Sequence, residues 1–416
     1  MWMDEKVFID LFAGSGGLSE GFLLNGFRPV AHIEKNRDSS NTLKTRAAFH
    51  FLTESGDTEL YNEYLRGKIN FERLLSNVPK EILDTIINAE ITEESLPSLF
   101  KKVDENLSLA GHKEVDLIIG GPPCQAYSLV GRARDKYRMK DDPRNYMYRL
   151  YADFLRKYKP KVFIFENVMG LLSAGEGKLF LDVQNYFRKA GYDLDYKVLN
   201  AKDYGVLQNR KRVILIGWSI DSNIKYPAIK QTTGEYVVND LLVDLPPLRA
   251  GENPENVDYA SEPTEYLKRY RIRSKDEILT QHITRPHNER DLEIYRRAIN
   301  LWNKEKGRLN YTDLPQEFRT HRNNDSFLDR FKVVAGDLAY SQTIVSHISK
   351  DGHYYIHPDI FQLRSLSVRE AARLQSFPDN YYFEGSRTSA FAQIGNAVPP
   401  LLAESLAKSV GHILME

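Results

Sequence analysis

Short apolar strand patterns that end in glycine or a polar residue constrain the fold of this 416-residue chain more than any other feature. The first, Lys6–Phe12, runs directly into the glycine-rich turn AGSGG, and a helix is expected from about Leu18 to Asn25. Strands and helices then alternate, which predicts an α/β fold built on a parallel sheet. The other predicted strands are Pro29–Ile33, Val115–Ile119, Lys161–Phe165, Tyr196–Leu199 and Arg212–Gly217; the other predicted helices are Tyr146–Tyr158, Leu179–Ala190, Leu366–Gln375 and Pro399–Leu414, with 37–110 mostly helical.

Composition excludes several classes of protein. Hydrophobic residues make up 42% and charged residues 27%, as in ordinary globular proteins, which excludes a disordered chain. No apolar run approaches the ~18 residues that span a bilayer, and Met1–Asp10 lacks the features of a signal peptide, so no membrane association is expected. The single cysteine, Cys124, excludes an internal disulfide and favours a reducing, cytoplasmic location.

Charge is unevenly distributed after the last predicted strand of the first region, although the whole chain has a net charge of zero. Glu235–Glu265 contains eight acidic residues and only one basic residue, whereas Tyr266–Lys332 contains sixteen Lys and Arg against ten Asp and Glu. We interpret 220–360 as a second unit, inserted before the chain returns to the first. The first domain would then comprise 1–219, completed by 361–416.

The glycine-rich segment Asp10–Gly17 follows a strand and precedes a helix, where glycines let the backbone approach a ligand closely. Its spacing is not G-x-G-x-x-G, because the third position falls on Ser19, and this disfavours a nicotinamide oxidoreductase. Glu34 ends the next strand, where a carboxylate can accept hydrogen bonds from ribose hydroxyls. From spacing alone, a tight turn with a surface acid stays an alternative.

Cys124 lies in Gly120–Ser128, GGPPCQAYS, directly after a predicted strand. Pro122 and Pro123 restrict the backbone and should hold the cysteine stiffly at the carboxyl edge of the sheet, where ligands bind in such folds. A buried inert cysteine is the alternative, but the polar surroundings favour a nucleophile.

Two more polar segments occur at strand ends. Glu166, in ENV, could donate a proton if it were buried in its protonated form. Arg210 and Arg212, in QNRKRV, alternate along the start of a strand, so both should point to one face and suit phosphate or carbonyl oxygens. A strand-end acid paired with a base and a solvated charge cluster are the corresponding alternatives.

The histidines His347, His353 and His357 are close in sequence but do not predict a metal site. No cysteine is near them, and they are spread through an expected hairpin with its turn at Asp351–Gly352. We therefore expect no metal. The segment Gly395–Pro400, GNAVPP, predicts a turn before the C-terminal helix.

In their order, DLFAGSGG, Glu34, GGPPCQAYS, ENV, QNRKRV, RSLSVREAARLQSFPD and IGNAVPP resemble the motifs of the cytosine-carbon-5 DNA methyltransferases of bacterial restriction–modification systems. The resemblance covers nearly the whole chain outside about 220–330. It implies a Rossmann-like S-adenosylmethionine-dependent methyltransferase domain with a smaller target-recognition domain at 220–360. It also implies sequence-specific methylation of double-stranded DNA by a monomer associated with the nucleoid, and a cognate restriction endonuclease that acts separately.

The resemblance implies S-adenosylmethionine as methyl donor, with Cys124 as the nucleophile that adds to a flipped cytosine. The chain departs from the family pattern in one respect. The family has a short acidic segment soon after the second strand that contacts adenine, and the candidate for it here is Glu90 in Ala89–Ile91, much later in the sequence. The other implied roles are Phe12, Gly14 and Gly17 around the donor's adenine and methionine portions, Glu34 on its ribose, Pro123 beside it, Asn396 near its methionine end, Glu166 and Arg212 on the cytosine, and Arg210 beside the base, nearer phosphate.

A basic segment and two alternative functions complete these expectations. Tyr127–Arg149 contains seven Lys and Arg against three Asp and Glu, and it could close over DNA and contact phosphates. The alternatives are a tRNA cytosine-5 methyltransferase and a catalytically silent DNA-binding regulator of the same fold. The long insert favours duplex DNA, since duplex readout needs an element that reaches the major groove, and intact Cys124, Glu166 and Arg212 favour an enzyme.

Overall fold

The computed structural model describes residues 5–123, 146–232, 234–254, 257–320 and 328–415. Within these ranges one seven-stranded sheet forms the centre of the molecule. Its strands are β1 Lys6–Leu11, β2 Phe27–Glu34, β3 Ile86–Asn88, β4 Leu117–Gly120, β5 Val162–Asn167, β6 Tyr192–Asn200 and β7 Lys211–Ser219. They lie in the order β3-β2-β1-β4-β5-β7-β6.

The predicted parallel sheet is correct for β1 to β5 and wrong for β7, which runs against all the other strands. β7 runs antiparallel to both β5 and β6. Only 201–210 connects β6 to β7, too short for the crossover that parallel strands require, so β7 must return antiparallel. β3 was not predicted, because three residues are too few for a recognisable strand pattern in a mostly helical region.

Helices cover both faces of the sheet. Alternate residues of β1 point to opposite sides: Val7 and Ile9 pack in one apolar core, and Phe8 packs in the other. Among the described residues, no helix combines the length and apolarity needed to cross a bilayer. The helices are α1 Gly17–Leu23, α2 Arg37–Glu54, α3 Thr58–Leu65, α4 Phe71–Leu75, α5 Lys80–Leu83, α6 Leu96–Leu109, α7 Met147–Tyr158, α8 Gly170–Ser173, α9 Lys178–Lys189, α10 Glu265–Arg269, α11 Glu289–Glu305, α12 Val368–Leu374, α13 Arg387–Asn396 and α14 Pro400–Ile413.

The helix after the glycine-rich turn packs closely on the C-terminal helix. A Cβ atom added to Gly21 of α1 would lie 2.3 Å from the backbone of Ala403 in α14, and one added to Gly17 would lie 2.3 Å from the Val398 carbonyl oxygen. Only glycine permits this approach. The C-terminal segment therefore belongs to the same helical layer as the start of the chain.

The region 220–360 shares an apolar core with the segment that follows it. Val238, Tyr266 and Ile344 pack in one cluster with Leu374 and Phe391. A second cluster surrounds α11, and the chain between these clusters has little regular structure. The domain limits at 219 and 360 stay predictions.

Two local predictions in this part of the chain differ from the structure. The expected hairpin at Asp351–Gly352 is wrong, since isolated bridges join Ile356 to Val333 and Ser365 instead. In GNAVPP, Gly395 and Asn396 close α13, so the turn before α14 is shorter than expected.

Three arginines of RSLSVREAARLQSFPD are completely buried: Arg364, Arg369 and Arg373. Arg373 pairs with Asp244 at 2.5 Å and with Asp379 at 2.5 Å, which ties the inserted region to the loop after α12. Burial of charge is tolerated only when every group is paired, so these contacts fix how the two segments pack.

We expect Arg373→Met to lower the free energy of unfolding by about 3 kcal/mol, because Asp379 would be left with Arg369 at 3.8 Å and Asp244 would be left with Arg273, so both buried carboxylates lose a close cationic partner. Urea unfolding followed by circular dichroism measures this. The matched control is Arg296→Met on the exposed face of α11, expected to change stability by less than about 0.5 kcal/mol. Equally small effects of Arg373→Met and Arg296→Met on stability would contradict the stabilising role of the Arg373 ion pairs.

Candidate active site

The glycine-rich turn after β1 and the carboxylate that ends β2 form one unit. The Gly14 N–H donates to Glu34 Oε2 at 2.9 Å, and the Asn36 N–H donates to Glu34 Oε1 at 2.7 Å. Phe12 and Gly14 both have left-handed backbone angles, with φ of 58° and 56°. The two strands are parallel neighbours, so their carboxyl ends bring the turn and the carboxylate together.

Space beside this unit suits a bound ligand. Within the described ranges, no atom beyond Gly14 and its two chain neighbours lies within 4 Å of the position that a Gly14 Cβ would occupy, and Phe12 and Glu34 are only half-buried. A carboxylate fixed by two backbone N–H groups beside open space can still accept hydrogen bonds from hydroxyls. The residues therefore fit the ribose of S-adenosylmethionine. Gly17 differs, because packing against Val398 already explains its lack of a side chain.

The short strand β3 brings the candidate acidic segment to the same edge. The Ala89 N–H donates to the Glu34 carbonyl oxygen at 3.1 Å. Glu90 is exposed there and pairs with Lys35 at 3.1 Å. Ala89–Ile91 therefore lies beside Glu34, and the Glu90 carboxylate already has a cationic partner.

The ends of β4 and β5 are held against each other. A Cβ atom on Gly121 would lie 2.5 Å from Glu166 Oε2, so the carboxylate rests directly on that backbone. The Asn167 side chain donates to the Pro122 carbonyl oxygen at 3.4 Å, and Pro123 is half-buried. Cys124 and most of the basic segment lie in 124–145, outside the described residues.

Glu166 and Arg212 form an ion pair, with Arg212 Nε 2.7 Å from Glu166 Oε1 and side-chain exposures of 10% and 12%. The antiparallel register places Asn167 opposite Val213, which brings the two side chains together. A carboxyl group can accept from an amino group and a guanidinium can donate to a carbonyl, so this pair matches the polar edge of cytosine.

Arg210 occupies a different place from the expected one near phosphate. Its side chain has no exposed surface, and its guanidinium donates to the carbonyls of Ile344 at 2.5 Å, Gly395 at 3.0 Å and Ala397 at 2.8 Å. It could not reach a DNA phosphate without leaving these acceptors. Asn396 is exposed between two of those carbonyls, at the end of α13.

Asp10, the first residue of DLFAGSGG, is a buried acid close to Glu34 that was not singled out from the sequence. Its side chain is buried at the end of β1, and burial raises the pKa of its carboxyl well above the ordinary range, with a further rise from repulsion by Glu34. Only the unusual placement of an acid inside an apolar strand pattern could have indicated this. The buried carboxyl thus holds its proton to a higher pH than a free one.

Asp10→Asn should stabilise the protein increasingly as pH rises. A raised native pKa means that the folded state binds the proton more tightly, so wild-type stability falls as pH rises from the unfolded pKa of about 4 toward the native pKa. We expect the free energy of unfolding of Asp10→Asn to rise relative to the wild type between about pH 4 and neutral pH. Urea unfolding across pH measures it, with exposed Asp221→Asn as control. Stability curves of wild type and Asp10→Asn that stay parallel across pH would refute the burial effect.

Comparisons with known proteins identify the family of this chain. Residues 96–412 match the family described as C-5 cytosine-specific DNA methylase. The chain is 40% identical to type II methyltransferase M.Bpa9945I of Bacillus paralicheniformis, over 98% of this chain and 99% of that protein. It is 31% identical to type II methyltransferase M.DdeI of Desulfomicrobium norvegicum, over 97% and 88% respectively.

Solved structures share the fold. The Entamoeba histolytica methyltransferase EhMeth has a TM-score of 0.57 at 13% identity, covering 99% of this chain and 100% of that one. With most of its length matched by the family and with a 40% identical relative over nearly its whole length, the chain belongs to the C-5 cytosine-specific DNA methylase family.

Proposed function

We propose that this DNA (cytosine-5-)-methyltransferase acts through a covalent adduct between Cys124 and carbon 6 of a cytosine flipped out of duplex DNA. The observation that carries the proposal is the ion pair of Glu166 and Arg212, which lies against Gly121, three residues before Cys124. The methyl donor is S-adenosylmethionine, which supplies an electrophilic methyl group when bound.

Carbon 5 of cytosine is a poor nucleophile because the ring is conjugated. Addition of the Cys124 thiolate to carbon 6, with a proton delivered to ring nitrogen 3, leaves electron density on carbon 5. Carbon 5 can then take the methyl group while the methyl–sulfur bond of the donor breaks and its electron pair stays on sulfur. Loss of the carbon-5 proton to a base, return of the nitrogen-3 proton to the group that supplied it and elimination of the thiolate restore the ring. A stacked base is inaccessible to these groups, so the cytosine must be flipped out.

Glu166 and Arg212 would hold the base during this sequence. One Glu166 oxygen would accept from the amino group, the protonated oxygen would donate to nitrogen 3, and Arg212 would donate to carbonyl oxygen 2. Because Glu166 is paired with Arg212 in the free protein, the pair must rearrange when the base enters. The arginine then stabilises charge on the ring rather than charge on the carboxylate.

The donor site would be formed by the turn and strand ends described above. Glu34 would bind the ribose hydroxyls, with Phe12 and Gly14 beside it; Gly17, Pro123 and Asn396 complete the proposed set. Arg210 would act as a positioning residue, since it holds the carbonyls on either side of Asn396. Glu90 is the proposed adenine-side acid.

Sequence readout would come from 220–360, where the basic stretch Tyr266–Lys332 supplies a local positive field despite overall neutrality. We further propose a monomer in the bacterial cytoplasm, associated with the nucleoid through DNA. There it would protect sites from a cognate restriction endonuclease. The naming of similar proteins as type II methyltransferases supports this role.

Replacement of Cys124 by Ser should abolish methyl transfer while sparing DNA binding, and Glu166→Gln should slow transfer by about 10²–10⁴-fold because a positioned proton donor is lost. Transfer of labelled methyl groups to duplex DNA and a gel-shift assay measure the two properties. The exposed Glu176→Gln is the matched control for Glu166→Gln. Near-normal turnover of Cys124→Ser would exclude the covalent route.

Glu34→Ala should weaken binding of S-adenosylmethionine by roughly 1–3 kcal/mol, the usual loss when hydrogen bonds of a fixed carboxylate are removed. Isothermal titration calorimetry measures the affinity directly. Exposed Glu72→Ala on α4 serves as the control and should bind like the wild type. Unchanged affinity in Glu34→Ala would rule out the ribose role.

A further inference from the structure

A cavity of about 570 Å³ lies between α1, α2 and β2, with α5 and the end of α6 at its rim. The exposed residues Glu54, Ser55 and Glu81 line its mouth, whereas the buried residues Ser19 and His32 line its inner end. Ligand pockets in proteins commonly have volumes of about 300–1,000 Å³. The cavity therefore has the size of a small-molecule site and an entrance from solvent.

This cavity is separate from the proposed donor site. Phe12, Gly14 and Glu34 are not among the described residues that line it. The cavity meets the glycine-rich turn at Gly16, where a Cβ atom would lie 2.8 Å from the Leu43 side chain and 2.9 Å from the Tyr381 hydroxyl. Those two side chains thus pack tightly on the turn and bound the cavity on that side.

Most of the cavity wall is apolar. The apolar side chains come from three helices and from β2, so the wall is built by packed secondary structure rather than by a long loop. A ligand with a mainly apolar body would therefore gain from leaving water. The main apolar residues of the wall are Leu23, Val30, Leu43, Ala47, Phe51 and Ile82.

The charged side chains deep in the wall already pair with one another. Arg46 donates to the two Glu20 carboxylate oxygens at 2.9 Å and 2.5 Å, and to the Asn380 side chain at 2.8 Å. His50 Nε2 lies 3.1 Å from Glu20 Oε2. A charged ligand would find no spare counter-ion among these groups, and burying an unpaired charge is costly. The wall therefore favours an uncharged ligand.

His32 differs from the other polar residues of the wall. Its imidazole is buried, and neither ring nitrogen has a hydrogen-bond partner among the described residues. Burial lowers the pKa of His32 to about 4, with repulsion from His50 adding to the effect, so the ring is neutral near pH 7. A neutral imidazole offers one donor and one acceptor, and leaving both unpaired in the interior is unfavourable. A ligand that pairs with the ring would remove this cost.

We propose that the cavity binds one uncharged small molecule with an apolar body and a hydroxyl or ring N–H group that pairs with His32. A mostly apolar wall with a few placed polar groups is the usual construction of a small-molecule site. The wall would hold the body of the molecule, and His32 would fix its orientation. This binding would be independent of the methyl donor and of DNA.

The test is a fluorescence titration of the full chain with 2-naphthol, an uncharged bicyclic compound that carries one hydroxyl. Two analogues separate the contributions, since 2-methylnaphthalene lacks the hydroxyl and 2-naphthoate carries a negative charge. We expect one molecule of 2-naphthol per chain, bound about tenfold more tightly than either analogue because only 2-naphthol can pair with His32 without bringing in a charge. Saturating S-adenosylmethionine should leave this affinity unchanged.

Two variants locate the bound 2-naphthol. His32→Phe keeps a ring beside Phe8, which lies 5.8 Å away between ring centroids, and should weaken 2-naphthol about tenfold while leaving 2-methylnaphthalene unaffected. Ala47→Trp on α2 should fill the cavity and abolish binding of both compounds. The exposed His412→Phe on α14 is the matched control for His32→Phe and should bind like the wild type.

Failure of the wild type to bind 2-naphthol overturns the proposal, and so does equal affinity for 2-naphthol and 2-methylnaphthalene. Displacement by S-adenosylmethionine, or unchanged binding in Ala47→Trp, would place the compound elsewhere and also overturns it. Circular dichroism of each variant separates loss of binding from loss of fold. If His32→Phe or Ala47→Trp fails to fold, the wild-type analogue series and the competition with S-adenosylmethionine decide the outcome.

Discussion

Buried guanidinium groups are the interaction on which the geometry of the site depends. A cation removed from water must be matched by acceptors on all sides, so the chain segments that supply those acceptors have little freedom. Arg210, which directly precedes β7, donates to the backbone carbonyls of Ile344, Gly395 and Ala397. Arg373 forms ion pairs with Asp244 and Asp379. Together they lock the inserted region and the C-terminal segment onto the strands that carry the site.

The sheet then brings two pairs of candidate site residues to one edge. Parallel pairing puts the Gly14 turn beside Glu34, and antiparallel pairing of β5 with β7 puts Glu166 beside Arg212. Both pairs rest on strand ends rather than long loops, which keeps their geometry rigid. The buried carboxyl of Asp10 lies close enough to Glu34 for the Glu34 charge to raise the Asp10 pKa further.

Much of the fold and of the candidate site could be predicted from the sequence, and the features that were missed or predicted wrongly have a common cause. Apolar runs identified the long strands and helices, because those patterns are local. The strand β3 was not predicted because three residues are too few to show an alternating pattern. The direction of β7 was predicted wrongly because it depends on the short connection between β6 and β7. Arg210 looked like a ligand-binding residue because sequence shows charge but not burial. His353 contacts Tyr295 and His287, which lie about sixty residues earlier, and no local pattern indicates such contacts.

The sequence by itself determined the family, the order of the motifs and the residue types that can do the chemistry, since each motif is a short local pattern. Tertiary structure alone decided that Glu166 pairs with Arg212, that the buried Arg210 guanidinium donates to backbone carbonyls, and that His287 packs near His353. It also decided that the inserted region shares a core with the segment that follows it. These facts depend on strand register and close packing between residues far apart in the chain, and no local pattern of side chains encodes such contacts.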